Sequence, residues 1–281
     1  MSAGDLGISG DSGVPGRLVV CATPIGNLED VTLRVLSALR EADVIACEDT
    51  RRTRVLLDRY GVDASLLSYH EHNEHERAAD LVGRMRAGQI VALVSDAGMP
   101  LVSDPGYVLV TACVAAGLAV EVLPGPSAAL AALVASALPA DRWTFAGFLP
   151  RRKGDLVAIF GSTETLVAFE SPRRVAASLA VLAAVDADRP VAVCRELTKI
   201  HEEIVRGSAG DLAVRYGKEA PRGEVVLVVG AATNAEIDEG PAVDAMRQLV
   251  AAGAKARPAA KVVSELTGVA ANLLYAAVSA K

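Results

Sequence analysis

The chain has 281 residues, 52% of them hydrophobic, with a single Trp, enough apolar material for two ordinary domains with cores of Ala, Val and Leu. Its formal net charge of -6 excludes a surface coated in positive charge, so a polyanion would have to meet local basic patches at residues 51–54, 151–153 and 173–174. The Gly- and Ser-rich opening has no apolar stretch, which predicts a disordered leader over residues 1–16, neither signal peptide nor membrane span, on a cytoplasmic protein that engages no membrane.

A strand over residues 17–22 breaks at Pro24, and Val31, Val35, Leu36 and Leu39 recur at helical spacing within 29–42. The strand DVIACE follows, then a helix over 51–60, the strand SLLSY, a helix over 74–87 and the apolar strand 90–95, which must be buried on both faces. A helix over 107–116 ends at Gly117, and the strand AVEVL runs into PGPSA, a proline-rich turn read as a domain boundary. This alternation predicts an α/β domain over residues 17–124 with a mostly parallel sheet.

A second α/β domain, 125–232, restarts with an Ala/Leu helix over 128–137 and the strands WTFAGFL and TLVAFE. It continues with a helix over 173–184, the strand VAVCRE, a polar stretch through EEIVRG, a helix over 209–216 and a strand over 224–230. A polar linker and a tail of three short helices occupy 233–281. The last two helices meet at Thr267-Gly268 in the manner of a helix-turn-helix. The final one carries no Arg or Lys before Lys281, so the tail reads as a helical cap and not as a DNA reader.

Four Gly- and Pro-broken segments stand where predicted strands end: TPIGNLED (23–30), EDTRRT (48–53), SDAGMPLVSDPG (95–106) and PGPSA (124–128). Open α/β sheets bind small molecules beyond the carboxyl ends of their strands, so several such loops point to one composite pocket. Pro24 and Gly26 keep the first loop tight and small, and Asn27 can cap the helix after it. Asp104, in an Asp-Pro-Gly turn, reads as the N-cap of the next helix. Cys21, Cys47, Cys113 and Cys194 lie in apolar stretches without CxxC spacing and read as reduced core residues. HEHNE sets His70, His72 and His75 beside Glu, but zinc spacing is absent and no metal is expected.

The strings TPIGNLEDVTLR, EDTRRT, HEHNE, VSDAGMPLVSDPGY, PGPSA, FAGFLPRRKG, FESPRR, RELTKIHEE and RGEVVLVV occur in this order over residues 17–281. In them the chain resembles the bacterial ribosomal RNA small subunit methyltransferase I family, which has the tetrapyrrole methylase fold. The resemblance implies two α/β domains with S-adenosylmethionine in the cleft between them, a homodimer, and methylation of the ribose 2'-hydroxyl of a decoding-centre cytidine of 16S rRNA in the small ribosomal subunit. It also implies cofactor contacts at Pro24, Gly26, Asp96, Met99, Ser127 and Ala128, completed from the second domain by Glu170 and by backbone near Cys194 and Val229.

A ribose hydroxyl is a poor nucleophile while protonated, so a general base or a cation is expected beside the methyl group. The polar candidates in the cleft loops are Glu48, Asp49, Arg51, His72, Asn73 and Lys199, with Glu170, Arg195 and Glu196 beside them, and one carboxylate or His72 as the base. Plainer roles compete: Asp49 can cap the helix starting near Thr50, and Arg195 with Glu196 can be an ion pair. Arg52, Arg54, Arg151, Arg152, Lys153, Arg173 and Arg174 are expected to reach RNA phosphates.

Three positions depart from the family pattern: Met99 stands where Thr is common, the segment 151–164 is short, and Arg173 replaces a frequent His. The competing readings are a small-molecule, tetrapyrrole-like methyltransferase and a non-catalytic ribosome-binding factor. The first loop lacks the GxGxGD string of the former, and no GxxxxGK[ST] supports a nucleotide-phosphate binder.

Overall fold

In a computed structural model of the chain, residues 16–232, 239–267 and 269–279 are described. Nearly all of the expected leader, positions 233–238 of the expected linker, and Gly268 lie outside the described residues.

The first sheet contains β1 (Arg17–Cys21), β2 (Val44–Cys47), β3 (Leu66–Ser68), β4 (Ile90–Val94) and β5 (Ala119–Leu123), in the order β3-β2-β4-β1-β5 with every pair parallel. Between them run α1 (Leu33–Glu41), α2 (Thr50–Arg59), α3 (Glu74–Arg86) and α4 (Tyr107–Ala115). Successive strand side chains point to opposite faces. Leu18, Val20, Ala46 and Leu93 therefore meet α3 and α4, whereas Val19, Cys21, Ile45 and Val94 meet α1 and α2. Helices on both faces explain why β4 reads as a continuous apolar run. Each fully buried Leu in these layers, such as Leu39 or Leu57, contributes about 1.5–3 kcal/mol of transfer free energy.

The second sheet follows α5 (Ala128–Ser136) and contains β6 (Trp143–Phe148), β7 (Thr165–Glu170), β8 (Pro190–Arg195), β9 (Glu203–Ser208) and β10 (Val225–Val229). Its order is β6-β7-β10-β8-β9, with β6 parallel to β7, β10 antiparallel to both β7 and β8, and β9 antiparallel to β8. The helices α6 (Lys153–Phe160), α7 (Val175–Val185) and α8 (Ala209–Lys218) complete it. Two elements were not legible in the sequence. The helix α6 is only eight residues long, too short for its period to stand out. The strand β9 is an edge strand with no fully buried residue, so its pattern stays mixed.

The tail consists of α9 (Glu239–Ala251), α10 (Ala256–Thr267) and α11 (Ala271–Ser279), packed on one another around Met246, Ala260, Val263 and Leu274. Among the described residues, no helix is long and apolar enough to cross a membrane.

Candidate active site

A cavity of about 290 Å³ is walled by loops from both sheets. One wall comes from the first sheet: Ile25 after β1, Met99, Ser103 and Asp104 after β4, and Ser127 and Ala128 after β5. The other carries Phe148, Phe169 and Glu170 at the ends of β6 and β7, Cys194 in β8, and Val225 and Val226 where β10 begins. This is the carboxyl end of the parallel strands, where open α/β sheets take their ligands. Phe169 stacks edge-on against Phe145 and Phe148 at 5.0 and 5.5 Å, which fixes the apolar side.

Loop-to-loop bonds hold the first wall. Thr23 and Gly98 form an isolated antiparallel bridge, with N···O distances of 2.8 and 2.9 Å, and the Thr23 hydroxyl donates to the Ser95 carbonyl at 3.0 Å. Gly98 has φ +78°, a conformation open to glycine. Gly26 touches the opposite half: a Cβ there would lie 2.5 Å from Lys199 Cγ and 2.9 Å from the Leu197 carbonyl. The Asn27 N–H donates to Thr198 Oγ1 at 3.1 Å, so the first loop bridges the two sheets.

The 95–106 loop departs most from expectation. Asp104 does not cap α4; the N-cap is Gly106, at φ 139°, with no side-chain capping bond. Leu101 and Ser103 are also left-handed, at φ 74° and 65°, each at a cost of about 1–3 kcal/mol. That backbone turns Asp104 into the cavity wall instead of back onto the helix. Burial, then the negative charge of Glu48, pushes its carboxyl up to about 6, with Asp96 adding to the rise and a hydrogen bond from Ser95 opposing it. The second Asp of SDAGMPLVSDPG was the available signal, and the capping motif masked it.

The EDTRRT candidates hold one another. Asp49 caps α2 by accepting from Arg51 N at 2.9 Å and takes the Arg51 guanidinium at 3.0 and 2.7 Å. Those bonds hold the Asp49 carboxyl down to about 2. Asp96 accepts from Asp49 N at 3.0 Å and pairs with Arg52 at 3.4 Å, fastening this loop to the 95–106 loop. Glu48 is partly buried, and burial followed by Asp96 raises its carboxyl. His72 points away: its side chain is 83% exposed and 3.7 Å from Glu71. The histidine on the Glu48 side is His70. Asn73 serves its own turn, accepting from His70 N and donating to the Ser68 carbonyl.

Of the expected cofactor contacts, Met99, Ser127, Ala128, Glu170 and Cys194 line the cavity. Pro24 and Gly26 flank Ile25, and Asp96 precedes the lining residues Ala97 and Gly98. Val229 is a correction. Because β10 runs antiparallel, Val225 pairs with Glu170 and Arg195 at the cavity end, and Val229 pairs with Leu166 and Val191 at the opposite end. Glu170 faces inward, its carboxylate accepting from Ser171 N at 2.7 Å and Ser178 Oγ at 2.5 Å, with Arg174 at 3.4 Å.

Arg174, expected among the RNA contacts, donates to the Leu149 and Pro150 carbonyls beside Glu170. Arg52, Arg151, Arg152, Lys153 and Arg173 are exposed, and Arg54 is half-buried. Lys199 is clamped at 2.9 Å by both Glu196 and Glu224, so Glu196 does not pair with Arg195, whose partner is Glu203. The four cysteines are buried free thiols.

The model of the tetrapyrrole (corrin/porphyrin) methylases matches residues 17–213. A ribosomal RNA small subunit methyltransferase I of Mesorhizobium japonicum is 47% identical over 277 residues, 95% of this chain and 94% of the relative. The protein of that name from Escherichia coli O157:H7 is 43% identical over 269 residues, covering 92% and 93%. Among solved structures, a cobalt precorrin-4 methyltransferase superposes with TM-score 0.57 at 21% identity, over 76% of this chain and 94% of its own. A diphthine synthase superposes with TM-score 0.58 at 16% identity, over 76% and 90%. The structural likenesses establish a shared fold.

Proposed function

The chain belongs to the tetrapyrrole methylases and, within them, to the ribosomal RNA small subunit methyltransferase I family, and from that premise we propose that it methylates the 2'-hydroxyl of a decoding-centre cytidine of 16S rRNA with S-adenosylmethionine as methyl donor. The observation that carries the reading is the composition of the cavity. Its walls are largely apolar, with the Phe148–Phe169 pair suited to a flat heterocycle and to the cationic sulfonium beside it. Cys194, Met99 and Ala128 keep the remaining wall small or pliant.

When bound, S-adenosylmethionine supplies an electrophilic methyl group on a sulfonium. The chain's part is to hold donor and acceptor in line and to keep water out, which can account for much of the acceleration. The loops bonded through Thr23, Gly98, Asp96 and Asp49 form a stiff shelf for that alignment. Exposed Arg52, Arg151, Arg152, Lys153 and Arg173 are the cations this reading assigns to phosphates, Arg173 following the lining residue Pro172. An acidic chain with few aromatics is better suited to a preformed ribosomal surface than to free single strands.

The active form in this reading is a homodimer. The helices α4 and α5 are mostly apolar and leave Tyr107 72% and Val134 81% exposed, with Val114 and Leu130 beside them. The test is a methylation assay with labelled donor, offering unmodified small subunits and naked rRNA in parallel, with the label located by mass spectrometry. Label on one cytidine ribose of the subunit supports the proposal. No label on either substrate, with donor binding intact, refutes it.

A further inference from the structure

The reaction proposed above needs a group that accepts the hydroxyl proton, and the residues singled out from the sequence leave that role unfilled. Of them, Glu48 is not among the residues lining the cavity, His72 is 83% exposed and turned to Glu71, Asp49 is bound to Arg51, and Lys199 lies between two carboxylates. Glu170 lines the cavity with its carboxylate fully buried on Ser171, Ser178 and Arg174. Glu224 sits at the rim, paired with Lys199.

Asp104 differs from all of these. It lines the cavity, and no cation pairs with it among the described residues. Ser95, at the head of the same 95–106 loop, is its hydrogen-bond partner. The charged groups acting on it are Glu48 after β2 and Asp96 after β4, with Glu170 lining the same cavity. The left-handed residues Leu101 and Ser103 aim it there, and Gly106 is packed so closely that a Cβ would lie 2.7 Å from Leu101 Cδ1. Backbone strain of this kind persists where the surroundings over-determine it, as at active sites.

We propose that Asp104 is a catalytic residue, the base that takes the proton from the acceptor ribose hydroxyl; the inference rests on the reaction assigned above. The ribose oxygen bonds to the methyl carbon as the carbon–sulfur bond breaks, and that bonding pair leaves with sulfur as a neutral thioether. The hydroxyl proton passes to an Asp104 carboxylate oxygen and is then released to solvent. Burial, then Glu48 and Asp96, keep Asp104 a stronger base than a solvated carboxylate, in the range useful near neutral pH.

The test compares wild type with Asp104→Asn and Asp104→Glu, using labelled S-adenosylmethionine and unmodified small subunits, with donor affinity measured by calorimetry. The expected result is a fall in kcat of about 10²-fold or more in Asp104→Asn, donor Kd within about fivefold of wild type, and partial rescue by Asp104→Glu. Wild-type kcat/KM for the donor should fall below about pH 6, and Asp104→Asn should lose that limb. A kcat within about tenfold of wild type with the limb retained overturns the inference, as does a donor Kd weakened by the whole factor lost in kcat/KM, which makes Asp104 a donor contact. An inactive wild type refutes the assigned reaction itself, a separate result.

Discussion

Replacing Asp104 with Asn removes a charge that the folded protein holds against burial and against Glu48, so the variant is predicted to be more stable than wild type. Folding raises the carboxyl from 3.8 to about 6. At ~1.4 kcal/mol for each unit, the native state carries up to ~3 kcal/mol of destabilisation at neutral pH. Asp104 is partly exposed, and solvent screening brings the expected gain to about 1–3 kcal/mol. The sign follows from proton binding. Between about pH 4 and 6 the native state binds the proton that the unfolded chain has lost, so wild-type stability falls as pH rises through this window. Asp104→Asn lacks that slope, and its advantage should be full above about pH 7 and roughly halved by about pH 5. Thermal melts across this range should show Tm raised by about 3–8 °C at about pH 8. Equal or lower stability of the variant at about pH 8, or an advantage that does not shrink in acid, would refute the reasoning. A gain in stability coupled to a loss of turnover is the trade expected where a site is strained for function.

Glu170→Ala should cost about 2–4 kcal/mol in urea denaturation, because the buried Ser178 hydroxyl and the Arg174 guanidinium lose their shared acceptor; a cost under about 1 kcal/mol would remove Glu170 from its structural role. Sedimentation of the wild type should give twice the mass of the chain, and Val134→Glu should shift it toward the monomer. A wild-type monomer at micromolar concentration sinks the dimer reading. Native protein at about pH 8 should not react with an aromatic disulfide reagent, since burial raises all four thiols, Cys21 to about 12 and Cys113 and Cys194 to about 11. Fast labelling before unfolding contradicts that burial.

Regular elements were legible where local chemistry agrees with global packing. The β4 segment is apolar throughout because helices cover both faces, and Asp49 caps α2 as its place before Thr50 predicts. Where context prevails over local pattern, the reading failed. The edge strand β9 takes its partner from β8 and not from its own alternation. The direction of β10 decides that Val225, and not Val229, reaches the cavity, and no residue within that uniform Val/Leu run encodes its direction.

By itself, the order of motifs along the chain determined the family, the two-sheet α/β architecture and the four loops that meet at strand ends. Only the tertiary structure decided which polar residues of those loops face one another. Asp49, Arg51 and Asn73 turn back on their own loops, and Arg174 is bound within the fold. Asp104, which local sequence reads as a cap, is carried to the cavity by left-handed backbone at Leu101 and Ser103. The physical reason is range: capping and periodicity act within a few residues, whereas the charge environment of Asp104 is assembled from Glu48 and Asp96, brought side by side by the β2-β4 pairing.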